Sequence, residues 1–335
     1  MTTPPCSNRT EALRTILLED PAAIEDLPEA EATRLGRLLE ANRLEPLLYD
    51  LARRTGREGR LSPSRLSAWR MAHLCAVGRA TAFREALDDL LDLALAREIP
   101  VQLLPGPQLA FFVHASPELR PLVDLEVRVP GHCARDLQAA LRTRRFFETE
   151  DIASFPHSSH FHLPPLERDG VVLRVYFELP LDLGADLCPG IDLPASPQGG
   201  RAATPLLLGP EALFILVAHE MASRHFGHSL QLLHDLHVLA ERDGPGAGAL
   251  FLRVEEPHLR LEGLVSLSIL GTLLGTPIDP DLLDDLRESA GLSDPRRKLL
   301  LKLARTAILQ YPASPRVLGT VARLTRDART KPQPA

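Results

Sequence analysis

Lysine is nearly absent from this chain. Of 38 basic residues only Lys298, Lys302 and Lys331 are lysine, so every cation before residue 298 is an arginine or a protonated histidine. No lysine in that long stretch is there to form a Schiff base or to grip a phosphate as a compact ammonium. Cysteine is also sparse. Cys6, Cys75, Cys133 and Cys188 are dispersed and none forms a CxxC pair, which leads to the expectation of reduced thiols in a cytoplasmic protein. No apolar run approaches the roughly 20 residues that span a bilayer. The first ten residues are polar, lack the charged start and apolar centre of a secretion signal, and carry Thr2 where N-myristoylation needs glycine. Walker A, G-x-G-x-x-G and G-x-S-x-G are missing, and no Ser-His-Asp order is recognisable. His219-Glu220 fails the H-E-x-x-H pattern because residue 223 is serine.

What remains has the composition of a soluble globular protein. The 335 residues amount to about two domains, or to one large domain with helical additions, and 44% hydrophobic with 24% charged residues argues against wholesale disorder. A net charge of -6 argues against a protein held mainly by nucleic-acid phosphates and leaves open a local basic groove.

The hydrophobic period divides the chain. Apolar residues recur at three- and four-residue spacing through Leu35, Leu38, Leu39, Leu44, Leu47, Leu48 and Leu51. After a break at residues 55–59, a long second helix is expected from Ser62 as N-cap and Pro63 in the first turn, running past Trp69 and Phe83 to Leu95. Near residue 98 the period changes to that of strands. Residues 99–104 read as a short buried strand ended by Pro105-Gly106-Pro107. In residues 122–129, Val123, Leu125, Val127 and Val129 alternate with Asp124, Glu126 and Arg128. Residues 171–179 alternate again, with Arg174, Tyr176 and Glu178 on the polar face. A helix over residues 134–143 lies between. Residues 182–205, rich in glycine and proline, read as a surface excursion, and helices return from Pro210 onward. The expectation is an α+β fold: a helical region over 1–97, a small mixed-sheet α/β core over 98–207, a helical region over 208–326 and a flexible tail over 327–335.

The sharpest chemical feature is Arg120-Pro121-Leu122-Val123-Asp124-Leu125-Glu126-Val127. Two carboxylates two apart on a strand share a face, the arrangement that can hold one or two Mg²⁺ ions with a triphosphate, although a solvated strand face produces the same spacing.

Taken in order, the Leu103-Leu104-Pro105-Gly106 turn, the Arg-Pro before the Asp-x-Glu strand, the histidine-rich segment and the later strand resemble the bacterial family of uncharacterised nucleotidyltransferases related to DNA polymerase β. Ala218-His219, His225 and Leu233-His234-Asp235-Leu236 continue the likeness to about residue 275. The resemblance implies a Mg-dependent transfer of a nucleotidyl group from a nucleoside triphosphate to an acceptor. Asp124 and Glu126 stand at its catalytic metal-binding positions, Gly106 at its phosphate turn, and Arg120, Arg174 and Tyr176 around the nucleotide. It also implies a small-molecule or protein acceptor and a biosynthetic enzyme as partner.

Three departures from the family pattern count. Pro105 stands where the family has lysine, Arg174 where a third carboxylate is expected and Tyr176 where the family has histidine. Arg174 could fill the place of a metal through a guanidinium–carboxylate pair, which would preserve the pocket while removing the metal chemistry. The alternative to an active transferase is therefore a catalytically inactive binding or accessory protein on the same fold. Glu178 could supply the missing carboxylate only with a changed strand register, since four residues along a strand is about 13 Å.

The histidines invite a metal reading. His157, His160 and His162 form an HxxHxH cluster, and His234 and His237 lie three apart on an expected helix, but no spacing places a complete ligand set. Asp235, set among leucines, needs a partner if buried, with Arg224 or a nearby histidine as candidates.

Overall fold

The computed structural model describes residues 6–149, 161–179, 204–243, 249–254, 256–289, 293–310 and 312–330. The chain forms two compact units: Cys75–Ala212, and Met1–Leu74 together with Leu213–Ala335. The second unit is discontinuous in sequence because the N-terminal and C-terminal helices belong to one packed body.

That helical unit contains α1 (Cys6–Leu18), α2 (Glu29–Ala41), α3 (Glu45–Arg54) and the start of α4 (Pro63–Leu95), which begins at the proline expected to open it. It continues through α7 (Pro210–Ser223), α8 (Leu230–Asp243), α9 (Leu250–Arg253), α10 (Pro257–Leu274), α11 (Pro280–Ser289), α12 (Asp294–Leu309) and α13 (Pro315–Thr330). Helix α10 is buried along most of its length. Leu259, Leu264, Val265, Leu267, Leu270 and Leu273 are all buried, so it is the axis on which α1, α8, α11, α12 and α13 pack. Gly275 ends it in the left-handed region (φ 68°), where a side chain would be strained and would meet the Arg14 guanidinium. Asn42 joins the two sequence halves. Its amide donates to the Leu38 carbonyl (2.8 Å) and its side-chain oxygen accepts from the Leu230 amide (2.9 Å), satisfying an N–H at the start of α8.

The α/β unit contains the C-terminal part of α4, strands β1 (Gln102–Leu103) and β2 (Asp124–Arg128), helix α6 (Gly131–Arg142), and strands β3 (Phe147–Glu148), β4 (Leu166–Arg168) and β5 (Val171–Tyr176). Between β1 and β2, α5 (Pro105–Gln108) runs into a π turn at Leu109–Val113. The sheet order is β1-β2-β5-β4-β3, mixed because β2 and β5 are parallel and the other neighbours antiparallel. This is the expected α+β core with flanking helices.

Leu125, Val127, Val129, Leu173 and Val175 line the buried face. They pack in one cluster with Phe83, Leu87 and Leu90 of α4 and Leu137 and Leu141 of α6. Each such side chain contributes roughly 1.5–3 kcal/mol when fully buried, so this face fixes the register of the strands and thereby what stands on the opposite face. Val123 departs from the expected alternation. It is 54% exposed because β2 begins one residue later. The segment around Leu206 closes the sheet edge beside β1, and the buried Gln108 side chain both donates to the Leu208 carbonyl and accepts from its amide, each at 2.8 Å.

Candidate functional site

The polar face of β2 and β5 gathers the residues that the sequence singled out. Parallel pairing sets Glu126 opposite Arg174 and Arg128 opposite Tyr176. The long β5 side chains reach back along the sheet. Arg174 Nε donates to Asp124 Oδ2 at 2.9 Å, and the Tyr176 hydroxyl donates to Glu126 Oε1 at 2.9 Å. Each carboxylate thus has one named donor from the neighbouring strand. The Arg174–Asp124 pair is partly open to solvent, with side chains 35% and 22% exposed. Burial, with the Glu126 charge and the hydrogen bond to it, pushes the Tyr176 phenol well above its ordinary range, so it remains a proton donor to Glu126.

Gly106 sits in the short helix α5 directly over this face. A Cβ placed on it would lie 3.8 Å from Glu126 Oε2 and 3.9 Å from Arg120 Nη1. Gly106 does not have a positive φ, so its backbone conformation does not demand glycine; what the missing side chain leaves is space beside a carboxylate and a guanidinium. The Leu104 amide donates to the Glu126 carbonyl at 3.1 Å, tying the turn to β2. Pro105 opens α5 and contributes no N–H to the turn. Arg120 is buried, 6% exposed, immediately before the strand that carries the acids.

Glu178 lies past the end of β5 and is exposed, two residues beyond the register partner of Arg128. The register that would bring it to Asp124 is not the one formed. His162 pairs with Tyr176 in an isolated antiparallel bridge, with ring centroids 5.0 Å apart, while His157 and His160 lie outside the described residues. Sequence reasoning assigned His162 to a metal-like cluster and gave no signal for its place beside Tyr176. It also missed Arg79 on α4, whose guanidinium donates to the Leu122 carbonyl at 3.3 Å where the chain enters β2.

In the helical unit, Asp235 is fully buried on α8, and Arg224 donates to Glu220 rather than to it. His237 Nδ1 lies 2.8 Å from Thr276 Oγ1, and His219 Nδ1 lies 2.8 Å from the buried Glu262.

The donor set on the sheet face differs from the three-carboxylate set that the resemblance implies for a metal centre. Hard cations such as Mg²⁺ take oxygen ligands, commonly carboxylates together with substrate phosphates. Where the resemblance implies a third carboxylate, the Arg174 guanidinium is bonded to Asp124, and the Glu126 carboxylate accepts a phenol. The arrangement can neutralise the Asp124 charge from within and hold both acids in fixed orientations.

No curated protein and no solved structure matches the chain. The family model described as uncharacterised nucleotidyltransferase matches residues 28–275, which include the turn, both strands and the helices that follow. With this site and with three quarters of its length matched, the chain belongs to the uncharacterised nucleotidyltransferase family.

Proposed function

We propose that this member of the nucleotidyltransferase family is a nucleotide-binding protein in which the Arg174 guanidinium takes the place of a catalytic metal, so that it binds a nucleoside triphosphate without Mg²⁺ and does not transfer it. The observation that carries the reading is the Arg174–Asp124 bond, 2.9 Å long, at the position where the family pattern calls for a third carboxylate.

Two adjacent carboxylates repel a triphosphate unless a cation intervenes. Arg174 supplies that cation from the protein itself, and Arg120 places a second one beside Glu126 at the Gly106 turn. A guanidinium is always protonated at working pH, so it cannot accept the proton of an attacking hydroxyl. The site offers guanidinium groups to phosphate and has Arg174 where the family pattern has a third carboxylate. In this role the protein acts as an accessory subunit to a biosynthetic enzyme.

A second reading, Mg-dependent transfer, is favoured by the partial exposure of the ion pair, because a pair this open contributes at most about 1 kcal/mol and a magnesium–triphosphate complex could displace it. Calorimetry with ATP, GTP, CTP and UTP, each in Mg²⁺ and in EDTA, separates the two. The proposal expects binding of similar affinity in both conditions and no pyrophosphate release. Binding that appears only with Mg²⁺ and disappears in Asp124→Ala establishes the second reading instead.

A further inference from the structure

The chain is acidic overall, yet its last two helices are not. From residue 294 onward there are ten basic residues against two acidic ones, in a protein of net charge -6, and all three lysines fall in this segment. It also lies wholly outside residues 28–275, the part that the family model matches.

Helices α12 and α13 pack against each other and against α10. Their buried sides are apolar: Leu300, Ala304, Ala307 and Ile308 on α12, Val321 and Leu324 on α13. The cations stand away from that seam. Lys298 and Lys302 are four apart on α12, and Arg316 and Arg323 are seven apart on α13, so each pair shares a helix face, and all four are exposed. Lys298 is shared with Asp294 at 3.1 Å, whereas Lys302, Arg316 and Arg323 have no ion-pair partner among the described residues.

We infer that the exposed faces of α12 and α13 form a docking surface for the phosphate backbone of single-stranded nucleic acid. A protein partner would need a central apolar anchor ringed by polar groups. Leu299 is the one large apolar side chain on these two helices that stands exposed among the described residues. A membrane would need an apolar helix face free to enter the bilayer interface; here those faces are spent on the core. Exposed cations, three of them without an ion-pair partner among the described residues, beside a single exposed leucine suit a repeating anion, where binding is driven by release of condensed counterions and needs no shaped pocket. The whole-chain charge conceals this surface because the acidic excess lies in the preceding residues.

The test is fluorescence polarisation of the full-length protein with a dye-labelled single-stranded RNA of mixed sequence and about 20 nucleotides. Four phosphate contacts give a log–log salt slope of about 3 and weaken binding about 50-fold between about 50 and about 200 mM salt. The quadruple variant Lys298→Ser, Lys302→Ser, Arg316→Ser, Arg323→Ser loses that slope. The charge-keeping swap Lys298→Arg, Lys302→Arg, Arg316→Lys, Arg323→Lys retains it. If the quadruple variant melts early, the two helix pairs are changed separately, and each removes about half of the slope. No polarisation change at low salt, or a slope unaltered in the neutralised variants, overturns the proposal. So does stronger binding to anionic phosphatidylserine vesicles or to polyglutamate than to RNA, which would assign the surface to a membrane or to an acidic protein.

Discussion

Replacing Arg174 by aspartate places a third carboxylate beside Asp124 and Glu126 and turns the proposed metal substitute back into a ligand. The cost without metal has two parts. The Arg174–Asp124 pair, 2.9 Å long and partly exposed, contributes up to about 1 kcal/mol. A new carboxylate about 6 Å from two others adds about 1.4 kcal/mol of repulsion for each, at an effective dielectric constant of about 40. Arg174→Asp is therefore expected to lose roughly 3–4 kcal/mol at about pH 8. It should lose less at about pH 5, where one of the three acids can take up a proton. If the new triad binds Mg²⁺, a concentration one hundred times the dissociation constant restores about 2.7 kcal/mol. Urea unfolding with and without Mg²⁺ reads both effects. The wild type should shift by less than about 0.3 kcal/mol on adding Mg²⁺, because a guanidinium already occupies the charge. Equal stabilisation of wild type and variant by Mg²⁺ would refute the argument, since the wild-type site would then be a metal site despite Arg174.

Three further outcomes follow from the same structure. Gly106→Ala should leave stability unchanged or raise it by up to about 1 kcal/mol, because the residue is helical and a Cβ meets only ordinary contacts, while nucleotide affinity falls; thermal melting paired with calorimetry checks both. Asn42→Ala strands the Leu230 amide at the buried start of α8 and should cost about 1–3 kcal/mol in denaturant unfolding, whereas an exposed change such as Arg43→Ala should not. Burial, the largest influence, raises the Glu45 carboxyl from 4.5 to about 7. The folded state then holds its proton more tightly than the unfolded chain, so stability is fully present below about pH 4.5 and declines as pH rises towards about 7. Glu45→Gln should flatten that decline, and unchanged pH curves for the two proteins would contradict the assignment.

Much of the fold is written in local periodicity. Pro63 opens α4, the 171–176 alternation forms β5, and Pro210 and Pro280 start their helices because proline at a first turn costs no hydrogen bond. Strands β3 and β4 are two and three residues long and left no readable period. The grouping of the N-terminal helices with residues 213–335 was equally hidden, since it depends on contacts such as Asn42 with Leu230 that sequence distance conceals. At the site, the shared face of Asp124 and Glu126 follows from strand alternation alone. The bonds of Arg174 to Asp124 and of Tyr176 to Glu126 require the parallel register of β2 with β5, which the buried valines and leucines set. His162 reached Tyr176 through a backbone bridge between segments with no pattern to announce it.

The account turns on whether the Asp124–Glu126 face holds a divalent cation. Titration of the purified protein with Mn²⁺, read by electron paramagnetic resonance, measures this without reference to any substrate. The account predicts that wild type shows no stoichiometric site and that Arg174→Asp acquires one. A stoichiometric Mn²⁺ site in the wild type that disappears in Asp124→Ala would contradict it.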